Sequence, residues 1–533
     1  MKAVKTKATI GVLSTLISYM SLNSLLKATY PELFIWQDED LEEASWIASS
    51  KSWIDRKTCR WLGVCGGSHM HFISETFGHR PVGGDKNHEG GPTPDRDWQN
   101  AWTEGKDRPE DWTDDEQILR TIPDYVLEYA PLVHLYSGEQ FWPGDIAEHI
   151  YHVTPALNYT LLQAESMHPT LENLDRLNEW DDGRWVFLMS NDNVEERPDW
   201  LEGEKNIPND PSRPDDPFND NDGWVHRPGR TRLQGLKDVI RDLKDWFAPG
   251  LDDFEHDEDF LLSQFGKVVS KTMDSFRRTY HEELKRQEKS RFDPGTRIRG
   301  GRSDAPAVLI TVNKGHGVVD AFWFFFYSFN LGNAVLNVRF GNHVGDWEHT
   351  TIRFHHGVPK AVFFSEHNFG SVYSYDAVEK LGKRPVIYSA VGTHAMYATP
   401  GSHPYILPWG ILHDETDRGP LWDPALNSHA YTYDYKNDTL RSSNLTPNAP
   451  TGWFHFAGHW GDKFYRLSDK RQYRIAGQYH YVNGPIGPKF KNLDRKKICA
   501  GPDDAPCVIK HWLGSGDKIG LLLASPEDGP EQL

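Results

Sequence analysis

The chain has 533 residues, enough to bury at least one large core, and its 25% charged and 38% apolar residues are too polar for a protein that crosses a membrane many times. A formal net charge of −19 argues against nucleic acid as a partner, because phosphate binding needs concentrated Lys and Arg. Aromatic residues reach 13%, with 20 Trp, and such rings favour the pleated, half-buried surfaces of β structure.

The N-terminus reads as a targeting segment. Lys2, Lys5 and Lys7 precede an uncharged stretch from Ala8 to Leu26, which Lys27 closes, and acidic residues such as Glu32, Asp38 and Glu39 follow. Basic charge stays cytoplasmic, so the remainder is expected in the lumen. Residues 1–27 are either a signal-anchor helix that holds the chain in the membrane or a cleaved signal peptide. Leu26 and Lys27 make a poor small-x-small cleavage site, which favours the anchor. Cys59 with Cys65 and Cys499 with Cys507 form two close pairs without C-x-x-C spacing, as expected of local disulfides in an oxidising compartment. Sequons at Asn158, Asn437 and Asn444 agree. The expected location is an endomembrane lumen or the vacuole, with secretion as the alternative.

Along the chain, residues 28–117 read as an irregular arm stapled by the first cysteine pair. Residues 118–204 read as the first part of a β core, with a strand from Tyr125 to Leu135, a turn at Pro143-Gly144 and a short element carrying His149 and His152. Residues 205–300 combine an acidic linker with a helical insertion, where Leu233, Leu236, Val239, Ile240, Leu243 and Trp246 recur at helical spacing, followed by a longer stripe from Leu262 to Leu284. Residues 301–490 form the main β core. Ala307 to Val312, Ala321 to Phe329, Trp347 to Phe354, Ala361 to Ser365 and Pro385 to Ala390 are its predicted strands. Residues 491–533 are a disulfide-looped tail. The fold class is therefore mainly β, a β-sandwich-like core with a helical insertion and an N-terminal signal-anchor helix.

There is no G-x-S-x-G elbow, P-loop, G-x-G-x-x-G after a strand, or H-E-x-x-H. The densest polar cluster runs from Gly341 to His349. If Asp346 to Phe354 is a strand, Asp346 and Glu348 point to one face while Trp347 faces the core. A bulge at Gly345 could swing His343 to the same side. Two carboxylates and an imidazole that converge call for a divalent cation, while a salt-bridged surface strand, with Arg353 as partner, satisfies the same residues without one.

Several ordered motifs resemble the fungal vacuolar protein sorting-associated protein 62 family. They are Ala130 to Leu135 with Glu139 and Phe141 to Ile146, Asp320 to Trp323, Tyr327 to Asn333, Gly341 to His349, Gly392 to Ala395, Thr399 to Gly401 and Thr416 to Pro424. The resemblance implies a role in delivering proteins to the vacuole and supplies no reaction. His343, Asp346, Trp347 and Glu348 are also similar to the core of the necrosis- and ethylene-inducing proteins. That likeness implies a Ca²⁺ or Mg²⁺ on a β-sandwich that docks on sphingolipid head groups, with Asn330 or Asp320 in place of an upstream acidic ligand. Val344 and Gly345 depart from that family's Arg-His.

The expected ligands are thus His343, Asp346, Glu348 and Asn330 around Mg²⁺, Ca²⁺ or Mn²⁺, with His367 and His394 as candidates for acid/base work or for orienting the ligands. Two functions follow from this set. One is a metal-dependent recognition protein for a lipid head group or a cargo protein; the other is a metal-dependent hydrolase of the vacuole or secretory lumen.

Overall fold

The apolar run Val318–Asn330 is a strand because its side chains split by parity into two buried sets. Phe322, Phe324 and Phe326 join one core, while Ala321, Trp323, Phe325 and Tyr327 join another. The structure, a computed structural model, describes residues 37–70, 98–162, 168–209, 301–335, 338–367, 369–404, 412–475, 477–502 and 504–513, with a few isolated positions before residue 37.

In chain order the strands that position the site are β1 (Leu132–His134), β2 (Ala307–Gly315), β3 (Val318–Asn330), β4 (His343–His355) and β5 (Val358–Glu366). Then come β6 (Phe369–Ser374), β7 (Lys380–Leu381), β8 (Arg384–Ser389), β9 (Met396–Tyr397) and β10 (Gly401–Pro404). The last are β11 (His413–Thr416), β12 (Leu421–Trp422), β13 (Ser428–Asp434), β14 (Thr439–Ser442) and β15 (Ile509–Lys510). An eight-stranded sheet has the order β14-β13-β2-β3-β4-β5-β6-β15, and a five-stranded one runs β7-β8-β1-β12 with β9 on β8. All five predicted strands of the main core are present. Neither sheet closes.

The large sheet is buried on both faces, for different reasons. On one face Trp323, Phe325, Ile352 and Val362 pack against Val133, Ile387 and Trp422 of the smaller sheet. On the other, Phe324, Phe326 and Trp347 pack against Ile146 and Ile150 of a short helix and against Trp453 and Trp460 of the later loops. Sheet meets sheet on one side only, and short helices and loops cover the other.

Three expectations change. The arm is not irregular throughout: α1 (Asp38–Ser49) and α2 (Trp53–Leu62) precede the cysteine loop. Ser52 caps α2 by accepting from Asp55 N at 3.2 Å, and Gly63 ends it at φ 62°. Tyr125 to Leu135 is not one strand either. Asp124–Glu128 is a helical turn, and only Leu132–His134 extends, pairing in parallel with β8. A stretch this short with mixed polarity carries no clear period, so tertiary pairing decides it. Third, Gly345 inserts no residue, because β4 and β3 keep one register from His343↔Asn330 to His355↔Val318.

Both local disulfides form, Cys59–Cys65 with Cα atoms 4.3 Å apart and Cys499–Cys507 at 5.6 Å. The expected signal-anchor segment and the expected helical insertion, apart from isolated positions, lie outside the described residues. Among the described residues no helix is long and apolar enough to cross a membrane.

Candidate functional site

Strand β4 carries the acidic cluster, and its register places the two carboxylates together. Asp346 lies opposite Tyr327 and Glu348 opposite Phe325, on the face covered by the smaller sheet, while Trp347 joins the other core. Gly345 sits at φ 68°, and a Cβ there would stand 2.2 Å from the Trp460 carbonyl, so no other residue fits this close crossing. The left-handed turn at Gly345 leaves His343 half-buried, its Nδ1 2.6 Å from the Gly345 carbonyl.

His394 comes to the cluster from the loop that joins β8 to β9, at φ 55° and wholly buried. Its Nδ1 lies 2.9 Å from Asp346 Oδ2 and its Nε2 3.0 Å from the Phe141 carbonyl. Both oxygens only accept, so both ring nitrogens carry protons and the ring is an imidazolium. Burial alone would lower its pKa, but the Asp346 and Glu139 carboxylates overcome this and lift it to about 9. The ring stacks on Tyr327 with centroids 3.7 Å apart and planes within 1°.

Glu139 completes the counter-charge. One of its oxygens accepts from the Gln140 and Phe141 amides at 2.8 and 3.0 Å, and the other from Gly392 N at 2.9 Å. Burial pushes this carboxyl up, while His394 and the amides together hold it below its ordinary value. Glu348 has only a hydroxyl, since Ser365 Oγ donates to it and itself accepts from His349 N at 3.1 Å. Burial first, and then the neighbouring Asp346 carboxylate, drive the pKa of Glu348 well above the carboxylate range. His343 is held below its ordinary value by burial, against the pull of Asp346.

A second imidazole stands beside the first. His367, at φ 56° and partly exposed, places Nε2 2.8 Å from Asp414 Oδ2. Asp414 is buried and also accepts from Tyr397 OH at 2.7 Å, Thr393 Oγ1 at 2.9 Å and Asn333 Nδ2 at 2.9 Å. Although burial alone would lower it, the Asp414 carboxylate raises the pKa of His367.

Of the predicted site residues, Asp346, Glu348 and His394 come together, His343 lies at the cluster's edge and His367 belongs to the adjacent Asp414 dyad. Asn330 lies opposite His343 in the ladder, and its Nδ2 donates to the Gly341 carbonyl at 2.9 Å. Asp320, the other candidate for the upstream ligand, is bound in two hydrogen bonds to Arg353, and neither residue touches the cluster. Among the described residues no three His, Cys, Asp or Glu side chains gather in an arrangement that could hold a metal ion. Sequence reasoning missed Glu139, Ser365 and Asp414 as partners. Glu139 stood within a quoted motif, but nothing local marks the other two.

A mainly β protein with a buried acidic cluster built around an imidazolium is the class that this geometry defines. A family model for vacuolar protein sorting-associated protein 62 matches residues 307–481, which hold every site residue except Glu139, Gln140 and Phe141. Two relatives from Saccharomyces cerevisiae (strain ATCC 204508 / S288c) match across most of both chains. One, described as putative vacuolar protein sorting-associated protein TDA6, is 36% identical over 430 residues, 75% of this chain and 73% of its own. The other, vacuolar protein sorting-associated protein 62, is 32% identical over 411 residues, 73% and 71% of the two chains. The chain belongs to the vacuolar protein sorting-associated protein 62 family. No solved structure matches it.

Proposed function

We propose that this chain serves protein sorting to the vacuole as a luminal recognition protein, and that Asp346, Glu348 and His343 are the ligands of a hard divalent cation through which it engages a lipid head group or a cargo protein. Family membership supports the first half of this reading. One observation carries the second. Two buried carboxylates leave the same face of β4, and His394 is hydrogen-bonded to Asp346 alone, while Glu348 has no cationic hydrogen-bond partner among the described residues. Two carboxylates and an imidazole form a hard donor set that fits Mg²⁺, Ca²⁺ or Mn²⁺ better than structural Zn²⁺. The bound ion would supply a positive charge that an anionic head group can meet.

His394 then orients Asp346 through a hydrogen bond that is already made, and Glu139 stands 3.8 Å from the other ring nitrogen as its counter-charge. The luminal setting is supported by two local disulfides and by Asn437 and Asn444 in exposed turns. The rival reading, a metal-dependent hydrolase, is favoured by His367, a partly exposed imidazole oriented by the buried Asp414.

Co-sedimentation of the full chain with vesicles bearing sphingolipid head groups, with cation or with chelator, tests the first reading. Cation-dependent pelleting that Asp346→Asn abolishes is the expected result. Pelleting that ignores the chelator would remove the cation from the account. Turnover of an ester or peptide substrate, lost on His367→Gln, would establish the hydrolase instead.

A further inference from the structure

Alternate residues of β4 face the other side of the sheet, and there the charge balance reverses. His349, Thr351 and Arg353 are all buried. Arg353 spends its Nε and Nη2 on Asp320 at 2.7 Å each, and Nη1 on the Lys496 carbonyl at 2.7 Å. Onto this patch the tail lowers Arg495, only 2% exposed. Its Nη2 donates to Thr351 Oγ1 at 2.7 Å. Nε and Nη1 find no acceptor among the described residues, and both ring nitrogens of His349 are likewise without one. Phe322 and Phe363 receive the guanidinium at 4.9 and 4.5 Å from their centroids. His349 lies beside the same two rings, at 6.2 and 5.2 Å.

The rings cannot satisfy those donors. A cation–π contact engages the face of a guanidinium, while its N–H bonds lie in the plane. Nor does any carboxylate among the described residues hydrogen-bond to Arg495, because Asp320 is already committed to Arg353. Two guanidinium groups therefore share one buried carboxylate, leaving an excess positive charge in a buried layer, where charges are ordinarily paired. Lys491 adds to the positive field at His349.

We propose that Arg495 and His349 form a binding site for a compact monoanion, of halide or small-carboxylate size, enclosed between Phe322 and Phe363 beneath the tail. Arg495 supplies the charge and in-plane donors, and His349 one N–H. The tail is the cover: Ile498 packs on Ala361, Phe363 and Val372, the Cys499–Cys507 disulfide lies in the same cluster, and β15 pairs in parallel with β6.

The test uses the full chain, dialysed into gluconate at fixed ionic strength and then titrated with sodium chloride, bromide or formate. A saturable rise in Tm of several degrees with the compact anions is expected, with none for added gluconate. Arg495→Met should abolish the rise. His349→Phe, which keeps the aromatic shelf and the guanidinium, should shift the half-maximal concentration upward by tenfold or more while the protein stays folded. Crystals soaked in bromide should show an anomalous peak within hydrogen-bond distance of Arg495. Equal melting in all salts, or ordered water alone at Arg495 in the bromide-soaked crystals, would overturn the proposal.

Discussion

One strand, β4, serves two buried charge clusters of opposite sign. Towards the smaller sheet it presents Asp346 and Glu348; with Glu139 they make three acidic groups around the imidazolium of His394, which is hydrogen-bonded to Asp346 and 3.8 Å from Glu139. Towards the helices and tail it presents His349, Thr351 and Arg353, where two guanidiniums share the carboxylate of Asp320. The difference arises from parity alone, since neighbours in a strand face opposite ways. A sheet covered on both sides can thus keep an anionic and a cationic environment a few ångströms apart, insulated by Phe324, Phe325 and Trp347. Each cluster holds more ionisable groups of one sign than it can pair, and that surplus makes each a candidate for a bound ion of the opposite sign.

The comparison breaks most severely at its counter-ions. Asp320→Ala leaves both Arg353 and Arg495 buried without a carboxylate, and should cost about 3–5 kcal/mol in denaturant unfolding. A loss below 1 kcal/mol would mean that the cationic side is wetter than its burial suggests.

On the acidic side the probe is pH. The folded pKa of His394, about 9, lies above its ordinary value of 6.5, so its stabilisation is complete below about pH 6.5 and is lost as pH rises through about 9. The share of His394 is on the order of 3 kcal/mol, and Glu348, raised to about 8 by burial and by Asp346, adds to the fall as it ionises. Urea midpoints measured in chelator from pH 6 to pH 10 should fall across that window. Asp346→Asn should flatten the fall, whereas Arg495→Met should leave it unchanged.

The two disulfides sharpen the contrast at lower amplitude. Each closes a short loop, so removing either should cost about 2–3 kcal/mol. Removal of Cys499–Cys507 alone should also erase the halide response, because that bridge lies in the cover over Arg495. Smallest of all are the effects at the glycan sites. Asn437 and Asn444 are exposed, whereas Asn158 is half-buried at φ 56° and accepts from Lys463 Nζ at 2.8 Å. Mass mapping should find glycan on the first two, and Asn437→Gln should change stability by less than about 0.5 kcal/mol.

How much of this was legible in the sequence follows from the range of the interactions. The shared face of Asp346 and Glu348 was readable because a period of two is written in the run from Asp346 to Phe354. The main strands were readable for the same reason. Helix α2 had its signals in Ser52, Asp55 and Gly63, but Trp, Arg and Lys crowd its ten residues and mask the apolar stripe. The partners were not readable. Glu139 reaches Gly392 across 253 positions and Arg495 reaches Thr351 across 144, contacts that only the folded sheet creates. Gly345 suggested a bulge, but the residue answers instead to the Trp460 backbone lying against it.

The central claim is that the surplus carboxylate on β4 is a cation's ligand, and melting of the full chain tests it most directly. Wild-type protein in chelator, titrated with Ca²⁺, Mg²⁺ or Mn²⁺, should gain about 2.7 kcal/mol when the free ion reaches a hundred times its dissociation constant. Asp346→Asn and Glu348→Gln should each keep a folded baseline and lose that gain. A wild-type melting curve indifferent to chelator and to all three cations would contradict the claim.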